Sequence, residues 1–131
     1  MNITPYLMAE FEHGAYGPDK FDCFGLVWHV NLHHNNTELP RFDDVGHQLQ
    51  RMNAAIMGEQ ASEDWQEVDV PKQFDVVVMR RSGEAHHVGV WLDIDGGKVL
   101  HACEKGIFCQ SISALGRNFF QHIQYYRYAG N

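Results

Sequence analysis

The sequence predicts an α+β fold in which N-terminal helices pack on a meandering antiparallel β-sheet of about five strands. Three observations predict it. Apolar residues recur at helical spacing in the first half of the chain. After about residue 70 they fall in short alternating or continuous runs broken by Gly and Asp. The helical part precedes the strand part instead of alternating with it, which separates an α+β from an α/β order. With 131 residues, 44% of them hydrophobic and 21% charged, the chain suffices for one domain with its own core, spanning 1–131.

The elements follow in order. Asp22 to Leu32 predicts a helix, with Asp22 as N-cap and Phe24, Val27 and Val30 on one face. His33-His34-Asn35-Asn36 and Pro40 then form a polar loop. A second helix is expected from Asp44 to about Gly58, because Val45, Leu49, Met52 and Ile56 recur at helical spacing. Gly58 to Lys72 is irregular and acidic, and reads as a connector. Phe74 to Met79 is nearly continuously apolar, as a central strand would be. Arg80 to Ala85 is expected to turn the chain, and His87 to Leu92 to return it as a strand. Asp93-Ile94-Asp95-Gly96-Gly97 carries hairpin chemistry. Lys98–Cys103, Ile107–Ile112 and Ile123–Tyr128 complete the meander.

Composition narrows the function. Ten Lys and Arg against seventeen Asp and Glu give a net charge of −7, the wrong sign for a non-specific nucleic-acid binder. No apolar run approaches the roughly 18 residues that a membrane helix needs, so membrane insertion is not expected. Met1-Asn2-Ile3-Thr4-Pro5 shows neither the basic nor the apolar segment of a secretory signal, which points to synthesis in a cytosol. The three cysteines, Cys23, Cys103 and Cys109, are an odd number without the spacing of a disulfide framework.

The chemistry concentrates in two places. In Phe21-Asp22-Cys23-Phe24-Gly25-Leu26-Val27, a cap at Asp22 puts Cys23 in the first helical turn, where unsatisfied N–H groups and the helix dipole favour a thiolate. The backbone N–H of Cys23 is available there to a developing oxyanion, and Gly25 is expected to leave room beside the sulfur. The bland alternative is a small buried cysteine in a packed helix. The second place is the hairpin. A thiolate nucleophile needs a base, and the base needs an orienting group. A hairpin centred on residue 94 would set His87 and His101 directly opposite each other; the Asp/Gly turn centres nearer 95, which makes them diagonal neighbours, close enough to interact either way. Gly89 shares the face of His87 and is expected to keep a cleft open beside it, whereas His86 points the other way. The alternative is two incidental polar positions on strands.

Together these pieces resemble the NlpC-like papain-type cysteine peptidases, particularly the short forms in phage tail-tip assemblies. Asp22-Cys23-Phe24-Gly25-Leu26-Val27 is similar to the nucleophile motif in its tail-associated form. Phe74 to Met79 resembles the family's Gly-Asp-Val strand, with Phe74 where Gly is usual. His87 to Leu92 resembles the base motif, Val99-Leu100-His101-Ala102 the strand of the third residue, and Tyr125-Tyr126-Arg127 the closing strand. Residues 33–70 are the least matched insert.

The resemblance implies a papain-like fold with Cys23 as nucleophile, His87 as base and His101 as orienter, working without a metal or cofactor. The implied reaction is amide hydrolysis through a thioester in the stem peptides of peptidoglycan. The implied setting is a phage tail tip, with other tail proteins as partners, assembled into a virion after synthesis in the host cytoplasm and acting on the host cell wall. The family's aromatic residue ahead of a Gly-Gly pair has no clean counterpart, since Ala15-Tyr16 separates Gly14 from Gly17; Tyr16 or Phe11 would stand in, with Asp22 and Gly89 supporting the cleft. Two rival readings are a catalytically silent tail-tip subunit of the same fold and a zinc site. The latter would draw on His101, Cys103, Cys109 and His86 or His87.

Overall fold

A computed structural model describes residues 1–40, 65–81, 84–117 and 122–129, with backbone alone at 81 and 84–86. The chain opens with a single-turn helix α1 (Thr4–Leu7) and a short parallel pair, β1 (Glu10–Phe11) and β2 (Lys20–Phe21). Helix α2 (Cys23–His34) follows, then strands β3 (Trp65–Val68), β4 (Val76–Arg81), β5 (Glu84–Leu92), β6 (Lys98–Cys103) and β7 (Gly106–Gln110). Helix α3 (Ile112–Arg117) and strand β8 (His122–Tyr128) close the described chain. The main sheet has the order β3-β8-β4-β5-β6-β7, and all its pairings are antiparallel.

The continuous apolar run at Val76–Met79 has its reason in this order. β4 lies between β5 and β8, and both its faces are covered. Val76 and Val78 join the core beneath α2 with Phe24, Val27, Val30, Val88, Val90 and Leu100. Val77 and Met79 join a second apolar cluster with Val99 and Leu115 of α3. These four apolar side chains of β4 are all buried, as a strand covered on both sides demands. The buried carboxylate of Asp75, just before β4, receives a bidentate pair from Arg127 of β8 at 2.9 and 2.7 Å. The Lys72 N–H adds a third hydrogen bond at 2.8 Å, so the charge is fully paired.

The structure corrects several boundaries. The strands β4 and β5 reach Arg81 and Glu84, so Arg80, Arg81, Glu84 and Ala85 of the expected turn are strand. The stretch read as an acidic connector contains β3, whose Trp65 ring lies 5.0 Å from that of Tyr128 across the β3–β8 pair. The strand expected over Ile107–Ile112 stops at Gln110. Ser111 then starts α3, its Oγ accepting from the Ala114 N–H at 3.2 Å. The main sheet thus has six strands among the described residues rather than about five. The helix expected from Asp44 to Gly58, and most of the insert at 33–70, lie outside the described residues.

Candidate active site

Asp22 caps α2 as its sequence predicts. Its Oδ1 accepts from the Gly25 N–H at 2.5 Å and its Oδ2 from the Gly14 N–H at 2.9 Å, while its own N–H donates to the Ala15 carbonyl at 2.9 Å. One carboxylate therefore fixes both the start of the helix and the loop that precedes it. Gly25 serves that loop and not the sulfur: a Cβ there would collide with the Ala15 carbonyl oxygen. This corrects the expectation of open space beside Cys23.

Cys23 is half-buried in the first turn of α2, which packs on β5 and β6. The backbone N–H groups of Phe24, of Val88 in β5 and of Cys23 itself favour its thiolate, but burial and then the Asp22 carboxylate outweigh them and push the thiol up to about 12. Burial and the Asp22 charge thus oppose the thiolate that the helix start favours. A helix terminus contributes at most about 2 kcal/mol, and here desolvation exceeds it. The Val88 contact nonetheless places the sulfur against the strand that carries His87, one residue away.

The hairpin has the predicted register. Val90 pairs with Leu100, Trp91 with Val99 and Leu92 with Lys98, which centres the turn on residue 95. Asp95, Gly96 and Gly97 all have positive φ, and a Cβ on Gly97 would strike the Trp91 ring. His87 and His101 become diagonal neighbours, and His87 Nε2 lies 2.8 Å from His101 Nδ1 with the rings edge to face. His101 Nε2 lies 2.7 Å from the amide oxygen of Gln110 in β7. Both histidines are buried. Burial and then the neighbouring His101 lower His87 to about 3; burial lowers His101 too, against an upward pull from its Gln110 hydrogen bond.

Gly89 does share the hairpin with these rings, but it does not open a cleft. A Cβ there would lie 2.6 Å from Val99 Cγ1, 2.9 Å from the Leu100 carbonyl oxygen and 3.0 Å from the Cβ of His101. Its small size lets β6 and His101 approach, and a larger residue would displace the ring that His87 bonds. Tyr16 stands edge-on to Phe24 and Trp28 of α2, with its hydroxyl buried. Phe11 pairs with Phe21 in the parallel ribbon and meets His13 edge to face. Two further residues were not anticipated. Gln110 ends the imidazole chain, and Phe108, opposite His101 in register, places a part-exposed ring beside it. Only the β6–β7 register, which residue types do not encode, brings them there.

All three thiols are free. Cys103 and Cys109 belong to β6 and β7, where they face Gly106 and Leu100 in register. Among the described residues no group of three or more His, Cys, Asp or Glu could hold a metal ion. His101 also engages both ring nitrogens in hydrogen bonds, which leaves none for the zinc site considered above. The side chain of His86 lies outside the described residues. No described helix is long and apolar enough to cross a membrane.

Comparison with known proteins adds three findings. The NlpC/P60 family profile matches residues 8–124. Among solved structures, the fold is similar to the NlpC/p60 domain of the peptidoglycan hydrolase SagA, with a TM-score of 0.57 and 18% sequence identity over 92% of this chain and 88% of that one. No curated protein matches the chain.

Proposed function

We propose that this chain, which belongs to the NlpC/P60 family, is a cysteine peptidase that hydrolyses the peptide stems of bacterial peptidoglycan. The observation that carries the reading is the hydrogen-bonded His87–His101 pair beside the helix start that holds Cys23. The substrate class is supported by family membership and by the likeness to a peptidoglycan hydrolase domain.

In this reading the site works as a neutral thiol and a neutral imidazole. His87 Nε2 is committed to His101, so Nδ1 is the nitrogen that takes the Cys23 proton. The sulfur attacks the amide carbonyl, and the Cys23 N–H steadies the oxyanion. His87 returns the proton to the leaving amine, and water then hydrolyses the thioester. Tyr16 or Phe11 stands in for the family's aromatic residue, Asp22 holds the helix start, and Gly89 holds His101 against His87. Residues 1–131 act as one domain.

The finer setting we propose is a phage tail tip, with other tail proteins as partners, the virion as location and the host cell wall as target. The tail-associated form of the Asp22–Val27 motif supports it. The test is digestion of purified peptidoglycan with chromatography of the released muropeptides. Cys23→Ala should abolish release, His87→Ala nearly abolish it, and His101→Ala leave a measurable remainder. Equal release by Cys23→Ala and wild type would overturn the enzyme reading. A folded wild type that releases nothing, alone or in the particle, would leave a structural tail subunit.

A further inference from the structure

Beyond His87 and His101 a third side chain continues the hydrogen-bonded chain, and its chemistry is directional. We propose that Gln110 is a positioning residue that fixes, through two imidazole rings, which nitrogen of His87 is the base. The inference rests on the peptidase reading above.

Counting protons on the two rings fixes their tautomers. An amide oxygen only accepts hydrogen bonds, so its contact with His101 Nε2 at 2.7 Å requires the proton to be on that nitrogen. His101 is 4% exposed, and a buried ring without a carboxylate partner is neutral and holds a single proton. His101 Nδ1 is then a lone pair, and it accepts from His87 Nε2 across 2.8 Å. His87 is equally buried in kind, so its one proton sits on Nε2 and its lone pair on Nδ1. Turning the Gln110 amide round, so that its NH₂ faces His101, would reverse every step and leave Nδ1 of His87 protonated, unable to take a proton. The direction of one amide on the edge strand therefore selects the competent form of the base two rings away. No proton travels along the chain; it only sets where each one rests. An Asp or Asn in the more familiar triads acts on the base directly, whereas here the orienting histidine has an ambiguous tautomer of its own and needs a further acceptor to settle it.

The experiment is long-range ¹H–¹⁵N correlation of the imidazoles in the ¹⁵N-labelled full chain, with muropeptide release measured on the same samples. In wild type both rings should show the Nε2–H tautomer. Gln110→Leu, which removes the acceptor, should mix or invert the tautomers of both rings. It should also lower kcat about tenfold with KM little changed, the share that one hydrogen bond holds. Gln110→Glu offers only acceptor oxygens and should restore the Nε2–H pattern at alkaline pH, where His101 stays neutral beside the new carboxylate; this variant also decides the matter should Gln110→Leu not fold. Nδ1–H at His87 in wild type, or tautomers unchanged in Gln110→Leu, would overturn the proposal. Tautomers that follow residue 110 in a protein that releases no muropeptide would instead support Gln110's role and overturn the peptidase reading.

Discussion

The Cys23 thiol is held neutral by burial and by the carboxylate next to it in sequence, and that second influence can be removed on its own. Asp22→Asn keeps an oxygen for the Gly25 N–H, loses an acceptor for the Gly14 N–H and discards the negative charge. The thiol should therefore titrate lower, and iodoacetamide alkylation of Cys23 at pH 8 should quicken, while stability falls by about 1 kcal/mol. Unchanged or slower alkylation would show that the Asp22 charge does not reach the sulfur. The same electrostatics define the pH response of the wild type. With the thiol near 12 and His87 near 3, the neutral pair persists from mildly acidic to mildly alkaline pH. Cys23 alkylation should climb only on the alkaline side. A plateau already reached at pH 5–6 would reveal a thiolate–imidazolium pair and contradict the neutral resting state.

Phe74 illustrates how an element can be read correctly while its constraint stays hidden. Its φ is +74°, a left-handed conformation that costs a bulky residue about 1–2 kcal/mol. The bend lets the Phe74 N–H donate to the Trp91 carbonyl and the Asp75 carbonyl accept from the Trp91 N–H, both at 2.8 Å, so it begins the β4–β5 pairing. Phe74→Gly removes the strain but loses a ring packed on the core, and should stay within about 1 kcal/mol of wild type in urea unfolding. Phe74→Val keeps a side chain unsuited to that φ and should lose about 2–4 kcal/mol. Equal loss in both would mean that the ring, not the backbone, governs the position. What the residues themselves encode was legible: the Asp22 cap, the turn at Asp95–Gly97 and hence the diagonal His87–His101 pair. What depends on neighbours distant in sequence was not. β3 needed β8 to become a strand, α3 needed a sheet face at Val77, Met79 and Val99 to cover, and Gln110 needed the β6–β7 register. Gly25 and Gly89 were rightly singled out but wrongly explained, because the atoms that require their small size come from Ala15 and from β6.

Across the molecule, acid should act through its buried and half-buried imidazoles. His87 is lowered to about 3 and His29 to about 4, each chiefly by burial, and His101 is lowered as well. His29, midway along α2, ties that helix to α1, with Nδ1 2.8 Å from the Tyr6 hydroxyl and its ring edge-on to Phe21. Above pH 6.5 these rings are neutral whether the chain is folded or not, so they make stability no function of pH. Below it the unfolded chain takes up protons that the folded chain refuses, and stability falls as pH drops towards the folded values. For His87 alone the loss reaches about 3 kcal/mol by pH 4. The urea midpoint of the wild type should therefore decline steadily from pH 6.5 to pH 4. A double replacement of His87 and His101 by Asn, which removes both titrations at the site, should flatten that decline even though it lowers stability at pH 7. The remaining slope would then belong to His29 and His34 on α2, both lowered chiefly by burial. An unaltered slope in the double variant would mean that the site histidines already titrate normally in the folded protein. That result would also remove the neutral-ring premise from which the base nitrogen of His87 was assigned.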